Sequence, residues 1–106
     1  MCPGAPIPLD IAEWNGEYHP ISWAEPDNAL ESCVSMYRVE VRVGGREEDG
    51  EEGQTWKVLE KVSAKYKREM RVVDLDAFAA QYTALRVIAM NDSAESSPSF
   101  YSLSGW

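Results

Sequence analysis

Few residues of this chain have the types and spacing that catalytic chemistry requires. The one histidine, His19, stands beside Pro20, and two carboxylates, Asp74 and Asp76, follow a short apolar stretch. General acid–base catalysis needs such groups within hydrogen-bond reach of each other, whereas this context is typical of an edge residue and of turn carboxylates. The sequence has no GxSxG, HExxH or phosphate-binding glycine motif. We therefore expect a protein that is not an enzyme and uses no cofactor.

Metal chemistry also has little support in the sequence. The two cysteines, Cys2 and Cys33, form no CxxC or Cys/His cluster of the kind that binds zinc. The acidic run 46–54, REEDGEEGQ, lacks the DxDxDG spacing of a calcium loop. We expect no metal site and interpret this run as a solvated hairpin loop.

Size and charge limit the classes of protein and partner. The 106 residues correspond to one domain, 1–106, and the net charge is −8 at pH 7. Nucleic acid and anionic membranes need a positive surface, so neither is an expected partner. No apolar run approaches the ~20 residues of a membrane span, and prolines at positions 3, 6 and 8 are unlike a signal peptide. If the chain is part of a longer protein, any membrane attachment comes through the rest of that protein.

Positive charge is concentrated in one segment. Six of the ten Lys and Arg residues lie within 57–71, whereas 47–52 carries five acids. One interpretation is a contact for a sulfated glycan or an acidic partner. The simpler one, which we favour, is two oppositely charged surfaces that keep the protein soluble and protect edge strands. The candidate contact residues are Lys61, Lys65, Lys67, Arg68 and Arg71.

The clearest structural signal is MYRVEVRV, Met36–Val43. Tyr37, Val39 and Val41 alternate with charged residues, a pattern typical of a strand with one buried face and one solvent face. Shorter apolar segments separated by turn residues occur on both sides of it. This part of the chain therefore favours a β-sheet protein.

Two other segments are ambiguous. The apolar residues of 56–71 fall at helical intervals, and 82–91 fits one face of either a helix or a strand. Residues 74–81 fit either a helix start or a wide loop. Propensity alone leaves an α+β domain with helices at 56–71 and 76–90, or an all-β sandwich of about seven strands.

The order of several motifs resembles the fibronectin type III family. A tryptophan near the end of the second apolar segment is followed by a proline, in Trp23–Pro26, while Tyr37 and Trp56 open later segments. Residues Arg86–Ser99 match the family pattern R-V-x-A-x-N-x-x-G-x-S-x-P-S, except that Ala94 replaces the glycine. The resemblance covers about residues 6–103.

This resemblance implies an all-β fold, a seven-stranded immunoglobulin-like sandwich with fibronectin type III topology. It favours a strand at 82–91, and the fifth strand would contain Met70, Val72 and Leu75. Alternate residues of the strands then face an opposing sheet. The expected core residues are Ile21, Trp23, Tyr37, Val39, Leu75, Leu85, Val87 and Ala89.

One departure from the family concerns the tyrosine that normally anchors the loop before the sixth strand. The position three residues before Arg86 is Thr83, and Tyr82 comes one position early. The connection after Leu75 is also about two residues longer than usual. Either a bulge turns Tyr82 inward or this tyrosine corner is absent.

In function, the resemblance implies a non-catalytic extracellular module of a cell-surface receptor. Such a module acts as a spacer and protein-contact unit in adhesion or recognition, and its partners are neighbouring domains or another receptor, homophilic or heterophilic. The alternatives are the same module in an intracellular structural or scaffold protein, or an accessory domain of a secreted enzyme. A narrower resemblance, to the Dscam (Down syndrome cell adhesion molecule) family, is carried by Glu31–Cys33, Trp56–Leu59, Val73–Leu75 and Ala84–Asn91.

The resemblance also bears on two modification sites. Asn91-Asp92-Ser93 is an N-glycosylation sequon, although the family often has asparagine at this position for turn geometry. The family topology brings the N-terminus and the loop before the third strand to the same pole, which makes a Cys2–Cys33 disulfide conceivable.

Overall fold

The computed structural model describes residues 2–11, 13–43, 55–65 and 68–102. Within these ranges the chain forms seven strands and two short helices. In chain order they are β1 (Ile7–Ile11), β2 (His19–Ala24), α1 (Ala29–Ser32), β3 (Met36–Val43), β4 (Thr55–Ser63), β5 (Glu69–Val72), α2 (Leu75–Gln81), β6 (Tyr82–Met90) and β7 (Ser99–Ser102).

The strands form two antiparallel sheets. One sheet has the order β1-β2-β5 and the other the order β4-β3-β6-β7. The prediction of a β-sandwich is confirmed. The alternative with helices at 56–71 and 76–90 is wrong, because β4 and β6 occupy most of those segments. Burial favours the strands over the helices, because in the sheet Val62 and Leu85 both reach the core, at 8% and 0% exposure.

The core lies between the two sheets. Trp23 of β2 is 2% exposed and meets Tyr37 of β3 edge-on, with ring centroids 5.6 Å apart. Such an aromatic buries ~150–250 Å² of surface, so this pair contributes heavily to the hydrophobic stabilisation. The predicted core residues that the structure buries are Ile21, Trp23, Tyr37, Val39, Leu85, Val87 and Ala89.

Leu75 is not in the fifth strand, so this part of the sequence prediction is wrong. β5 ends at Val72, and Leu75 begins α2, where it is partly buried against the core. The Asp74 side chain accepts a hydrogen bond from the Ala77 amide at 3.0 Å and caps the helix. The two-residue period of β5 therefore stops before Leu75.

A bulge determines the position of Tyr82. The register of β6 against β3 shifts by one residue at Thr83. Tyr82 consequently faces inward at 8% exposure and packs edge-on against Phe78 of α2, with ring centroids 4.9 Å apart. Of the two arrangements that the sequence left open, the inward-turning bulge is the one present.

Tyr101 of β7 joins the two sheets. Its hydroxyl donates a hydrogen bond to the Ser22 carbonyl oxygen of β2 and accepts one from the Leu9 amide of β1 at 3.1 Å. Burial raises the pKa of Tyr101 above its ordinary value, and the hydrogen bond from Leu9 partly offsets that rise. The Ser99 hydroxyl donates to the Pro6 carbonyl oxygen. β7 therefore holds the edge of the three-stranded sheet against the four-stranded sheet.

Candidate functional site

The candidate site is the outer face of the four-stranded sheet, the side turned away from the core. Successive residues of a strand point to opposite sides, so the neighbours of the buried residues on β3 and β6 project there. We define the outer face by the side chains on this side of the sheet and by one that reaches them from the loop after β6. These are Arg38, Glu40, Arg42, Trp56, Val58, Lys61, Arg86, Ile88, Phe100 and Glu95.

Glu40 is the centre of the polar network on the outer face. Its residue exposure is only 6%, and its two carboxylate oxygens accept hydrogen bonds from two arginines. Arg38 donates through Nε at 2.9 Å, and Arg86 of β6 donates through Nε at 2.6 Å. Because a buried carboxylate is costly without partners, the two guanidinium groups stabilise its charged form. The network fixes both arginines in place.

An aromatic stack covers this network. The Arg86 guanidinium carbon lies 4.1 Å from the centroid of the Trp56 ring, a close cation–π contact. The Trp56 ring in turn lies beside Phe100 of β7, with centroids 5.9 Å apart. The pairing register brings Arg86 opposite Phe100 and Arg42 opposite Trp56. One indole from the edge strand β4 thus reaches across the sheet and contacts side chains of β6 and β7.

A second carboxylate reaches the outer face from the segment after β6. Arg38 donates to Glu95 through two nitrogens, at 2.6 and 3.1 Å, in a bidentate pair. The hydrogen bond from Arg38 lowers the pKa of Glu95 below its ordinary value, and the same pairing raises the pKa of Arg38. The Glu95 side chain is 51% exposed. This pair lies at the rim of the network.

Apolar surface lies exposed beside these charges. Phe100 is 57% exposed and Val58 is 45% exposed. Tryptophan and arginine side chains held in a defined arrangement are the groups that most often dominate protein–protein binding energy. The outer face therefore offers charged and apolar contacts side by side on one surface.

Sequence analysis identified only part of the outer face. The alternation of β3 marked Arg38 and Glu40 as a solvent-facing row, but it did not connect them with Arg86, Trp56 or Phe100. Glu40 and Arg86 are 46 positions apart in sequence. A register shift between Val39 and Glu40 also decides which residues of β4 lie opposite β3. Alternation along a strand predicts on which side of the sheet a residue lies. The contacts between these residues depend in addition on the pairing register between strands, which alternation does not give.

The predicted basic residues are divided between the two sheets. Lys61 pairs with Arg38 and belongs to the outer face, and Lys65 is exposed in the turn that follows β4. Lys67 lies outside the described residues. The backbone carbonyl of Arg68 accepts from the Trp23 amide at 3.2 Å, next to β5.

Arg71 lies on β5 in the three-stranded sheet. Its guanidinium carbon is 4.6 Å from the centroid of the Tyr18 ring, and its Nε is 3.5 Å from a Glu69 carboxylate oxygen. The continuous basic segment of the sequence is therefore not one continuous surface.

The side chain of Asn91 is engaged in local structure. Its Oδ1 accepts hydrogen bonds from the amides of Ser93 and Ala94, at 2.8 and 2.7 Å, and its Nδ2 donates to the Ser32 carbonyl oxygen at 2.8 Å. The first two bonds form an Asx-type turn, and the third ties that turn to α1. Nδ2 is the atom that would carry a glycan, so turn geometry alone accounts for an asparagine here.

The two cysteines are free thiols, and both are exposed. The two sulfurs are not bonded to each other in this structure, and a Cys2–Cys33 disulfide in an oxidising compartment stays a prediction. The N-terminal segment does lie beside the loop before β3, because Asn28 accepts from the Gly4 amide at 2.7 Å and donates to the Cys2 carbonyl oxygen at 3.1 Å. Cys33 ends α1 in the left-handed conformation, with φ of 55°.

The described residues also bear on metal sites and membrane spans. Among the residues that the structure describes, no group of three or more His, Cys, Asp or Glu side chains could hold a metal ion. None of the described helices is long and apolar enough to cross a membrane. The acidic run 46–54 lies outside the described residues.

The chain was also compared with known proteins. No family model matches it, and no curated protein matches it.

Proposed function

We propose that the chain is a fibronectin type III module. In this proposal it serves as a non-catalytic spacer and protein-contact unit in the extracellular part of a cell-surface receptor. The observation that carries the proposal is the strand order β1-β2-β5 and β4-β3-β6-β7. In an immunoglobulin constant-type domain the fourth strand joins the sheet of the first, second and fifth strands. Here β4 pairs with β3 instead, which is the arrangement expected of the fibronectin type III family.

The residue pattern gives additional support for the same family. Trp23, Tyr37 and Leu85 occupy the core at 2%, 1% and 0% exposure, in the order along the chain that the family motifs require. The Asn91 turn supports the part of the resemblance that follows the sixth strand, because its side chain organises that loop. These features favour a rigid module, and a rigid sandwich suits a spacer because it fixes the geometry between neighbours.

The outer face supports the contact part of the proposal. Arg38 and Arg86 are already held by Glu40, Arg86 is also held by Trp56, and Phe100 beside them is 57% exposed. Ordered aromatic and guanidinium groups lose little conformational entropy on binding. A partner that covers Phe100 would therefore gain contact area at low cost.

Cell binding tests the contact function. The chain is displayed as a dimeric Fc fusion, and its binding to intact cells is compared for wild type, Phe100→Glu and Val73→Glu. Val73, 70% exposed, follows β5 of the other sheet and serves as the matched control. We expect Phe100→Glu to abolish binding and Val73→Glu to preserve it. Equal binding by all three proteins, or none by wild type on a panel of cell types, would count against the proposal.

A second candidate is the same module in an intracellular structural or scaffold protein. The observation that favours it is the pair of exposed free thiols at Cys2 and Cys33, since thiols stay reduced in the cytosol. Expression through a eukaryotic secretory pathway distinguishes the two locations. An N-glycan that is lost in Asn91→Gln favours the extracellular assignment. Secreted protein without a glycan, with alkylatable thiols at both cysteines, favours the intracellular one.

A further inference from the structure

We propose that the outer face binds an acidic protein segment that also carries apolar side chains. The inference rests on the proposed contact function and names the chemical class of the partner. It depends on three features of the described residues: the sign of the charge on this face, the carboxylate already bound to it, and the apolar surface next to both.

The charge of the outer face is opposite to that of the chain. The described face carries four cations, Arg38, Arg42, Arg86 and Lys61, against two carboxylates, Glu40 and Glu95, which leaves a net charge of +2. The whole chain carries −8. The sign of this charge favours an acidic partner at this face, whereas a basic partner is attracted to the acids elsewhere in the chain. Charge complementarity of this kind selects the partner and orients its approach.

Glu95 shows how a carboxylate binds there. It reaches Arg38 from outside the sheet and makes two hydrogen bonds, at 2.6 and 3.1 Å, while its side chain remains 51% exposed. The next guanidinium of the face, that of Arg86, is held by Glu40 on one side and by Trp56 on another. Because both guanidinium groups are ordered before any partner arrives, further carboxylates lose less free energy to side-chain ordering.

Apolar surface decides between an acidic protein and a sulfated glycan. Phe100 and Val58 are 57% and 45% exposed, and Phe100 lies against Trp56. A peptide can cover these groups with aliphatic or aromatic side chains and release the water on them. A sulfated glycan offers negative charge with little apolar surface, so it would leave this part of the face unused.

A titration followed by amide NMR tests the proposal on the full chain. The probe is a twelve-residue peptide that repeats Glu-Leu-Glu-Phe. The controls are the same peptide with lysine in place of glutamate and a heparin fragment of similar charge. We expect the acidic peptide to shift amides of β3, β4, β6 and β7 near Arg38, Trp56, Arg86 and Phe100. The affinity should fall as salt is raised, because part of the attraction is screened.

A variant at Phe100 measures how much the apolar surface contributes to binding of the acidic peptide. We expect Phe100→Ser to lower the affinity for the acidic peptide by roughly tenfold, which is the usual effect of removing an aromatic side chain at the centre of an interface. Val73→Ser is the matched control, and its affinity should equal that of wild type. Unchanged chemical-shift dispersion in both variants establishes that they remain folded.

Three outcomes would overturn the proposal: no shifts on the outer face with the acidic peptide, equal binding by the lysine peptide, or tighter binding by heparin at this face. Its failure is distinguishable from failure of the contact function. If Phe100→Glu abolishes cell binding and the acidic peptide does not bind, the contact function stands and its partner is not acidic. If Phe100→Glu leaves cell binding unchanged as well, the contact function also fails.

Discussion

The two sides of the four-stranded sheet are built from the same strands and follow different rules. On the inner side of β3, Tyr37, Val39 and Val41 are at most 1% exposed and pack into an apolar core. On the outer side of the same strand, Arg38 and Glu40 belong to a network of ion pairs covered by an indole. The inner contacts are numerous and non-directional, whereas the outer contacts are few and depend on geometry. The inner side therefore supplies most of the stability, and the contact function that we propose belongs to the outer side of the same sheet.

The two sides of the sheet differ in how much change they tolerate. A core residue is surrounded on all sides, so a truncation leaves a cavity that the neighbours fill only partly. A residue of the outer face has solvent on one side, so water replaces part of what is removed. Glu40 is the exception, because at 6% exposure it is as buried as several core residues. Substitutions on both sides of the sheet test this difference.

Trp23→Ala is expected to have the largest effect. Trp23 is 2% exposed and packs edge-on against Tyr37, and truncation of a buried aromatic costs about 3–5 kcal/mol. Natural domains have a net stability of about 5–15 kcal/mol, so we expect this variant to lose its cooperative thermal transition. Circular dichroism during heating measures it.

The matched control for this prediction is Trp14→Ala. Trp14 is 48% exposed and contacts His19 with ring centroids 5.4 Å apart. The same loss of an indole should there shift the melting temperature by only a few degrees. A Trp23→Ala protein that melts within a few degrees of wild type would contradict the core assignment.

Glu40→Ala is expected to have the next largest effect. The substitution removes the carboxylate shared by Arg38 and Arg86, whose side chains are 17% and 23% exposed. Arg38 keeps its pair with Glu95, so the loss falls mainly on Arg86. Leaving charged donors partly buried without their acceptor costs about 1–3 kcal/mol. Urea denaturation should show a midpoint that falls with an unchanged slope. Glu60→Ala, at an exposed acid of β4, controls for the loss of one negative charge.

A Glu40→Ala midpoint equal to that of Glu60→Ala would show that the network adds no stability. The two sides of the sheet would then be more different than we infer, because the outer side would serve recognition alone.

The same contrast explains what the sequence could predict. Core positions such as Val39, Val87 and Ala89 follow from alternation, because burial needs only the correct side of a strand. The Arg86–Trp56 stack could not be found in this way, since it depends on a register shift in β4 and on a side chain that crosses β3. The family resemblance predicts a leucine at the end of the fifth strand and so places Leu75 there, whereas in the structure Leu75 begins a helix. Only the cap at Asp74 distinguishes the two.

Charge runs were the least informative part of the sequence. Lys61 and Arg71 are near in sequence, yet they belong to different sheets. A turn between two strands separates neighbours in sequence, while pairing brings distant residues such as Glu40 and Arg86 together. Predicting a surface patch therefore requires the sheet topology, whereas predicting core positions requires only the periodicity of the strands.

Glu95→Gln is expected to have the smallest effect. Glu95 pairs with Arg38 at the rim, and its side chain is 51% exposed, so solvent screens the pair and its contribution is below about 1 kcal/mol. The hydrogen bond from Arg38 lowers the pKa of Glu95 from its ordinary value of 4.5. A lowered pKa in the folded state means that the stabilisation is present above that ordinary value and is lost as the pH falls through the lowered one.

The stability difference between wild type and Glu95→Gln should thus be constant near neutral pH and shrink in acid, as measured by urea denaturation across pH. Glu13→Gln, at an exposed acid between β1 and β2, shows how stability changes when one negative charge is removed from a chain whose net charge is −8. If the Glu95 and Glu13 variants follow the same curve, the pair contributes nothing beyond charge. Arg38 would then be ordered by Glu40 alone, and a carboxylate from a partner could take the position of Glu95 without loss of stability.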